Sequence, residues 1–289
     1  MGHSVTIGMP IRNGGHQIKV ALESLLNQTF ADFQIIISDN CSTDDTVEIC
    51  RKFAENDSRI RIVTQRDNLG IFGNFRFTLF QANSPYFMWA CHDDRWAPEF
   101  IEKNLRMLEG NPRAIGSISK VRLLLPDGSV APAKGTAPLL GEPWERVRVF
   151  LKRPSEASRF YSLFRTDDLR ASFPEDIDVF GYDYVVLALA ALRGEFLEVD
   201  EVLMEREAHD YLYYQKHFVA RRPTPMKRWF AMRDLTAKIS EKLRPPYGVG
   251  VRRALFMLQV RHAAQYAIYR FPPLLDASRA IGRSARPRS

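Results

Sequence analysis

The feature that most constrains this chain is a repeated change of hydrophobic period along its first third. SVTIGM (Ser4–Met9), FQIIIS (Phe33–Ser38), RIRIVT (Arg59–Thr64) and YFMWAC (Tyr86–Cys91) are short apolar runs of strand length. Between and after them, Ile18–Gln28, Asp44–Asn56, Phe72–Ala82 and Pro98–Gly110 space their apolar residues as helices do. The last opens on Pro and closes on Gly, and Ser42 or Thr43 can cap the second. Such alternation predicts an α/β fold, with a mainly parallel sheet flanked by helices. Ligands then bind beyond the carboxyl ends of the strands. Arg12–Gly15, Asp39–Asp45, Asp67–Gly70 and His92–Asp94 all fall there.

After residue 110 the pattern changes. RLLLPDGSVAP has a Pro-Asp-Gly turn between extended runs, which predicts a hairpin. Glu142–Lys152 and Tyr182–Leu192 read as helices, and Phe196–Glu207 as extended. Beyond Pro223, basic amphipathic helices are predicted over Met226–Leu243 and Val251–Arg270. These shifts divide the chain into residues 1–110, 111–215 and a helical basic C-terminal extension, 216–289.

Charge is distributed unevenly. The net charge is +7, but Arg221–Ser289 holds 16 Lys and Arg against 3 Asp and Glu, or +13. The remainder is therefore −6, from 25 basic and 31 acidic residues. The basic tail calls for an anionic partner, and its interleaved Trp229, Phe230, Leu255, Phe256, Leu258, Tyr266, Tyr269 and Phe271 favour a membrane surface. No nucleic acid is expected, since no nucleic-acid-binding motif accompanies the charge. No run approaches the roughly 20 apolar residues of a membrane span. Neither a secretory leader nor a disulfide framework is apparent, since Cys41, Cys50 and Cys91 are odd in number and show no C-x-x-C pair. The expected location is the cytoplasm, peripheral on the inner face of the cytoplasmic membrane.

Neither glycine-rich phosphate cradle, G-x-x-x-x-G-K-[ST] or G-x-G-x-x-G, is present. A nucleotide site on such a sheet then needs another source of positive charge, and a divalent cation held by carboxylates supplies one. The stretch CHDD (Cys91–Asp94), ending an apolar run, has the right chemistry, because ionised carboxylates are costly there unless paired or bound to a cation.

The ordered set TIGMPIRNGG (Thr6–Gly15), QTFADFQIIISDNCSTDDT (Gln28–Thr46), DNLGIFGNF (Asp67–Phe75), CHDDRWAPEF (Cys91–Phe100), FGYDYVVLALAALRGEF (Phe180–Phe196) and REAH (Arg206–His209) resembles family 2 glycosyltransferases of the GT-A fold. The resemblance implies a nucleoside-diphosphate sugar donor, Mn²⁺ or Mg²⁺, and inversion at the anomeric carbon. It implies donor binding by Pro10, Arg12, Asn13, Asp39, Asn68, Gly70, Asn74, Asp93 and Arg206. It implies metal ligation by Asp94 with Asp93, and a place for His209 near the diphosphate or metal. Asp183 falls where the family has its general base, with Asp176 and Asp178 as substitutes. The hydroxyl acceptor, given the basic tail, is expected to be a lipid-linked or polysaccharide glycan of bacterial surface assembly.

Two departures stand out. Arg12 replaces the family's usual aromatic residue, and His92 stands where many members have another Asp, bringing a donor suited to softer cations. Plainer roles compete at several positions. Asp44 reads as a helix-terminal carboxylate, Asn68 and Gly70 as a turn, Asn74 as packing, and Asp183 as a carboxylate favoured by a helix N-terminus. Two rival functions remain open, a sugar nucleotidyltransferase and a non-catalytic nucleotide- or carbohydrate-binding module.

Overall fold

The computed structural model describes residues 3–15, 17–152, 157–177, 179–208, 224, 232–244 and 246–270. Strands β1 (Val5–Ile11), β2 (Phe33–Asp39), β3 (Ile60–Thr64) and β4 (Tyr86–Trp89) lie parallel in the order β3-β2-β1-β4. Helices α1 (Gln17–Leu26), α2 (Thr46–Asn56) and α3 (Gly70–Gln81) connect them. All seven residues of β1 are buried, as expected of a strand covered on both faces. The chain first adds strands to one side of β1 and then places β4 on the other. That reversal opens a crevice at the carboxyl ends of β1 and β4. Ile11 pairs with Asp39 and Gly8 with Trp89, so the first two strands end level.

The second half extends the same sheet. It comprises β5 (Arg95–Trp96), α4 (Phe100–Glu109), β6 (Ala114–Leu124), β7 (Val130–Pro132), α5 (Pro143–Lys152), a 3-10 turn (Ser158–Tyr161), β8 (Leu163–Arg165), α6 (Thr166–Ala171), α7 (Tyr182–Arg193) and β9 (Glu195–Glu207). The order continues β4-β8-β6-β9-β5, antiparallel except for the β6–β9 pair, and β7 hairpins onto β6 as its turn sequence predicts. β9 thereby carries Arg206 back toward the residues that follow β4.

Each face of the sheet has its own core. On one, Ile18, Leu22, Leu25, Cys50, Phe100, Ile101 and Leu108 pack on the strands from α1, α2 and α4. On the other, Trp89 stacks on Phe160 at 4.3 Å and donates its indole N–H to the Phe75 carbonyl and the Thr78 hydroxyl. At Gly8 a Cβ would lie 2.6 Å from Phe87 Cζ and 2.8 Å from Thr78, so α3 rests directly on β1 there.

The C-terminal helices depart from expectation. α8 (Met232–Leu243) and α9 (Val249–Arg270) lie against α7 and α5. Leu235, Ile239, Leu243, Val251, Leu255 and Leu258 join the same core as Val186 and Phe150. The apolar stripe that suggested a face buried in lipid is thus a face buried in protein, because α7 is apolar nearly all round and needs covering. Residues 226–231, Trp229, Phe230 and Phe271 lie outside the described residues, and nothing is described of the Tyr269 side chain. No helix among the described residues is long and apolar enough to cross a membrane.

Ile239 is fully buried in that core. Ile239→Ala is expected to cost about 2–5 kcal/mol in urea unfolding, as core truncations do. A change near zero would mean that α8 is detachable from the domain.

Candidate active site

The loops after β1 and β2 are laced together. Asn13, with φ of 54°, donates its N–H to the Ser42 hydroxyl at 2.8 Å and accepts from the Thr43 N–H at 2.8 Å. Gly14 and Gly15 donate to the Thr46 hydroxyl at 2.9 and 3.1 Å, and Gly15 also donates to Asp44 at 3.1 Å. The Thr46 hydroxyl in turn donates to Asp44, which with the backbone bonds holds that carboxyl below the usual range. These glycine N–H groups are thus committed within the protein and form no phosphate cradle. Asp44 is a loop clamp, and the residue before α2 is Asp45.

Asp39 ends β2 with 2% exposure. Its Oδ2 accepts the Ser42 N–H at 3.3 Å, so it steadies its own turn, but its buried Oδ1 has no hydrogen-bond partner. A buried orphan acceptor is costly, and one on the last residue of a parallel strand suits a ligand N–H or O–H. Beside it Asn40, not singled out from sequence, is 4% exposed and clamps the next loop. It donates to Asn68 at 2.9 Å and to the Gly70 carbonyl at 3.2 Å, and accepts from the Leu69 N–H. Asn68 also takes the Gly70 N–H, and Gly70 has φ of 70°, so both form the loop's turn. Asn74 is buried, accepting from the Ser38 hydroxyl and donating to the Ser38 carbonyl. Its expected donor contact is therefore corrected to support of the β2 end.

The turn after β4 closes with the Asp94 N–H on the Cys91 carbonyl at 3.5 Å. It gathers the Cys91 sulfur and oxygens of Asp93 and Asp94 within 4.8 Å of one another. His92 is not in this group. Its ring lies beside Gly14, where a Cβ would come 3.3 Å from His92 Cδ2, so the unexpected donor at the carboxylates is Cys91. Two convergent carboxylates give the hard oxygen donors that Mn²⁺ or Mg²⁺ takes, so the set fits such a cation.

Arg206, on β9, completes this wall. Its Nε lies 3.4 Å from Asp94 Oδ2, its Nη1 donates to the Ser158 hydroxyl at 3.1 Å, and its guanidinium sits 4.1 Å over the Tyr161 ring. Burial pushes the Asp94 carboxyl up to about 7, against the pull of Arg206 at this long range. For Arg206 burial opposes the charge, but Asp94 and its neighbours outweigh it and the guanidinium stays charged. Ser158 and Tyr161 carried no signal in the sequence, because the short 3-10 turn that presents them has no periodicity.

Asp183 lies partly buried in the first turn of α7, entered through Gly181 at φ of 79°. Burial pushes its carboxyl up to about 6, opposed by N–H groups of Tyr184 and Asp183 and by the charge of Arg206. Asp176 is corrected from a substitute base to a tether. Lys242 of α8 binds it at 2.6 Å and Lys238 lies 3.6 Å away, and the Lys242 bond lowers its carboxyl. Pro10 is buried in β1, Arg12 is exposed at the crevice edge, and Asp178 and His209 lie outside the described residues.

A mixed sheet with this reversal, a carboxylate turn after β4 and a carboxylate opening a later helix defines the GT-A class of glycosyltransferase fold. Residues 6–131 match the family model described as glycosyl transferase family 2. It is similar to the Escherichia coli UDP-Glc:alpha-D-GlcNAc-diphosphoundecaprenol beta-1,3-glucosyltransferase WfgD, with 30% identity over 107 residues, 37% of this chain and 42% of WfgD. Such matches span less than half the length of the curated relatives. In fold it is similar to S. aureus TarS 1-349 in complex with UDP-GlcNAc, with a TM-score of 0.62 and 18% identity over 92% of this chain and 72% of that one. It is also similar to the mannosyltransferase PcManGT from Pyrobaculum calidifontis, in complex with GDP-Man and Mn²⁺, with a TM-score of 0.60 and 15% identity over 99% of this chain and 82% of that one.

The orphan oxygen of Asp39 gives a direct test. Asp39→Asn should keep thermal stability within about 1 kcal/mol, since one carboxylate oxygen already lacks a partner. Its affinity for a nucleoside diphosphate should fall at least about tenfold, the equivalent of one good hydrogen bond to a charged group. Unchanged affinity by calorimetry would remove Asp39 from the site.

Proposed function

We propose that this chain is an inverting glycosyltransferase that moves a sugar from a nucleoside-diphosphate sugar to a hydroxyl acceptor. The observation that carries this reading is the position of Arg206. It lies 3.4 Å from Asp94 in the acidic turn after β4, held by the Ser158 hydroxyl and over the Tyr161 ring, so a positive charge is fixed beside the convergent carboxylates of Asp93 and Asp94. Residues 1–110 form the donor half, 111–215 the acceptor and catalytic half, and 216–289 the extension.

In this reading Asp39 accepts an N–H of the base, and Pro10, Arg12 and Asn13 form the crevice edge around the nucleoside. Asn68 and Gly70 shape the adjoining turn. Asp93 faces the ribose and joins Asp94 in holding Mn²⁺ or Mg²⁺, with His209 as a further candidate ligand. The cation supplies charge neutralisation at the diphosphate when bound. Arg206 offers a second positive charge to the same oxygens as the diphosphate leaves. Asp183 takes the acceptor hydroxyl's proton as that oxygen attacks the anomeric carbon from the opposite face. With its carboxyl near 6, Asp183 is mostly ionised at neutral pH yet basic enough to accept the proton.

The acceptor is a lipid-linked glycan of bacterial surface assembly. WfgD, whose name specifies a diphosphoundecaprenol acceptor, supports this reading. The chain then works at the cytoplasmic face of the membrane. The outer side of α9 fits that place, because Arg252, Arg253 and Arg261 are exposed alongside Phe256 and Val260.

Incubation with a panel of nucleotide sugars and Mn²⁺ tests the reaction. Release of nucleoside diphosphate is expected. Pyrophosphate chemistry would mark a nucleotidyltransferase, and tight binding without turnover a binding module. Asp183→Asn should leave donor affinity nearly intact and cut turnover by roughly 10²–10⁴. Because the active base is the ionised form, wild-type turnover should rise with pH through about 6 and then level off. A flat profile from pH 5 to 8 would remove Asp183 from the role.

The membrane reading has its own test. The full-length protein should co-sediment with anionic vesicles and be released as salt rises, with each basic side chain contributing on the order of 1 kcal/mol. Arg252→Glu combined with Arg253→Glu should weaken that binding. Sedimentation indifferent to salt and lipid charge would refute it.

A further inference from the structure

The β4 turn differs from an all-oxygen cation site in one atom. Cys91 Sγ lies within 4.8 Å of the carboxylate oxygens of Asp93 and Asp94, while His92 points to the Gly14 loop. The turn itself produces this, since its closing bond runs from the Asp94 N–H to the Cys91 carbonyl and brings the two ends together. Tyr161 adds a partner, with its hydroxyl 3.3 Å from the Cys91 sulfur. Tyr161 also lies under the Arg206 guanidinium, which fixes the ring. Cys91 is partly buried at the edge of the apolar core, whereas Cys50 lies within the other core and Cys41 turns toward the Gln65 carbonyl. Among the described residues it is the cysteine that shares a pocket with two carboxylates.

We propose that Cys91 is a third protein ligand to the cation, so that this site prefers borderline and soft divalent ions, such as Co²⁺, Zn²⁺ and Cd²⁺, over Mg²⁺. This rests on reading the β4 turn as the cation site. Ligation forms a sulfur–metal bond and releases the thiol proton to buffer, with no change of oxidation state. The Tyr161 hydroxyl then donates to the thiolate and orients it, as outer partners of metal ligands commonly do. Thiolate favours soft and borderline ions, whereas Mg²⁺ selects oxygen and water. Two carboxylates keep Mn²⁺ acceptable, so the inference concerns rank among metals and leaves the reaction as proposed.

Cobalt spectroscopy tests this without turnover. Full-length protein is titrated with Co²⁺ in the presence of UDP, with binding followed in parallel by calorimetry. A near-ultraviolet thiolate-to-cobalt charge-transfer band is expected. Cys91→Ser should lose the band, while Cys50→Ser and Cys41→Ser keep it. The ratio of Cd²⁺ to Mg²⁺ affinity should fall by about tenfold or more in Cys91→Ser, and Cys91→Asp should shift it further toward Mg²⁺. Circular dichroism verifies that each variant is folded, and Mn²⁺ binding by Cys91→Ser serves as a second check. Calorimetric Co²⁺ binding without the band would overturn the ligand role of Cys91 while leaving the cation site standing. No Co²⁺ or Mn²⁺ binding by the wild type, unchanged in Asp94→Ala, would overturn both.

Discussion

The wall of the crevice depends on one buried charge. Arg206 is 15% exposed at its side chain, and it is held by a carboxylate of the β4 turn and by a hydroxyl and an aromatic face of the 3-10 turn. Placing a guanidinium there is unfavourable without partners, and Asp94, Ser158 and Tyr161 are the partners. The requirement runs in both directions. Asp94 is itself buried, and among the described residues Arg206 is the group that chiefly favours its ionised form. The β4 turn, the 3-10 turn before β8 and the end of β9 are therefore fixed relative to one another by electrostatics more than by apolar packing.

That arrangement presupposes the sheet. β9 must lie parallel to β6 for Arg206 to reach Asp94, and β5 must pair with β9 so that Arg95 opposes Glu205 and Trp96 opposes Met204. The two-residue β5 strand follows the acidic turn immediately, so its pairing with β9 fastens the turn to the strand that bears the arginine. On the other side, the lacing of Asn13, Gly14 and Gly15 to Ser42, Thr43 and Thr46 closes the first two strand ends into one rim. The crevice thus has an internally bonded rim on the β1–β2 side and a wall built around a buried arginine on the β4–β9 side.

The parallel half was legible because its periods are clean. The apolar runs over Ser4–Met9 and Phe33–Ser38 lie in β1 and β2, and each helix appears within a few residues of its predicted place. The hairpin of β6 and β7 followed from Pro-Asp-Gly for the same local reason. The carboxyl-end residues were legible as a group, since topology alone gathers Asp39, Asp93 and Asp94. Individual atoms were not. Nothing in the spacing showed that Cys91, not His92, would join the carboxylates, because that is decided by which side of a four-residue turn each side chain takes. Asn68 and Asn74 matched a motif, yet their amides serve Asn40, Gly70 and Ser38. The amphipathic pattern of the C-terminal helices was legible as a pattern, but not that protein covers Leu235, Ile239, Leu243, Val251, Leu255 and Leu258, since periodicity records that a face is hidden without recording by what.

That last point bears on how the molecule is made. α7 presents Asp183 at one end and buries its length under Leu235, Ile239, Leu243, Val251 and Leu258. During synthesis the strands and α7 leave the ribosome well before residues 235–258 do, so the outer sides of α5 and α7 spend that interval uncovered. Domains emerging amino-terminus first expose such surface to aggregation and to chaperones. The parallel strands can assemble earlier on the α1, α2 and α4 side, whose core is supplied by residues up to Met204 and needs none of the C-terminal helices. The side that holds Asp183 is completed only once residues 235–258 pack onto α5 and α7, so Asp183 gains its final surroundings later than the strand ends of β1–β4 gain theirs.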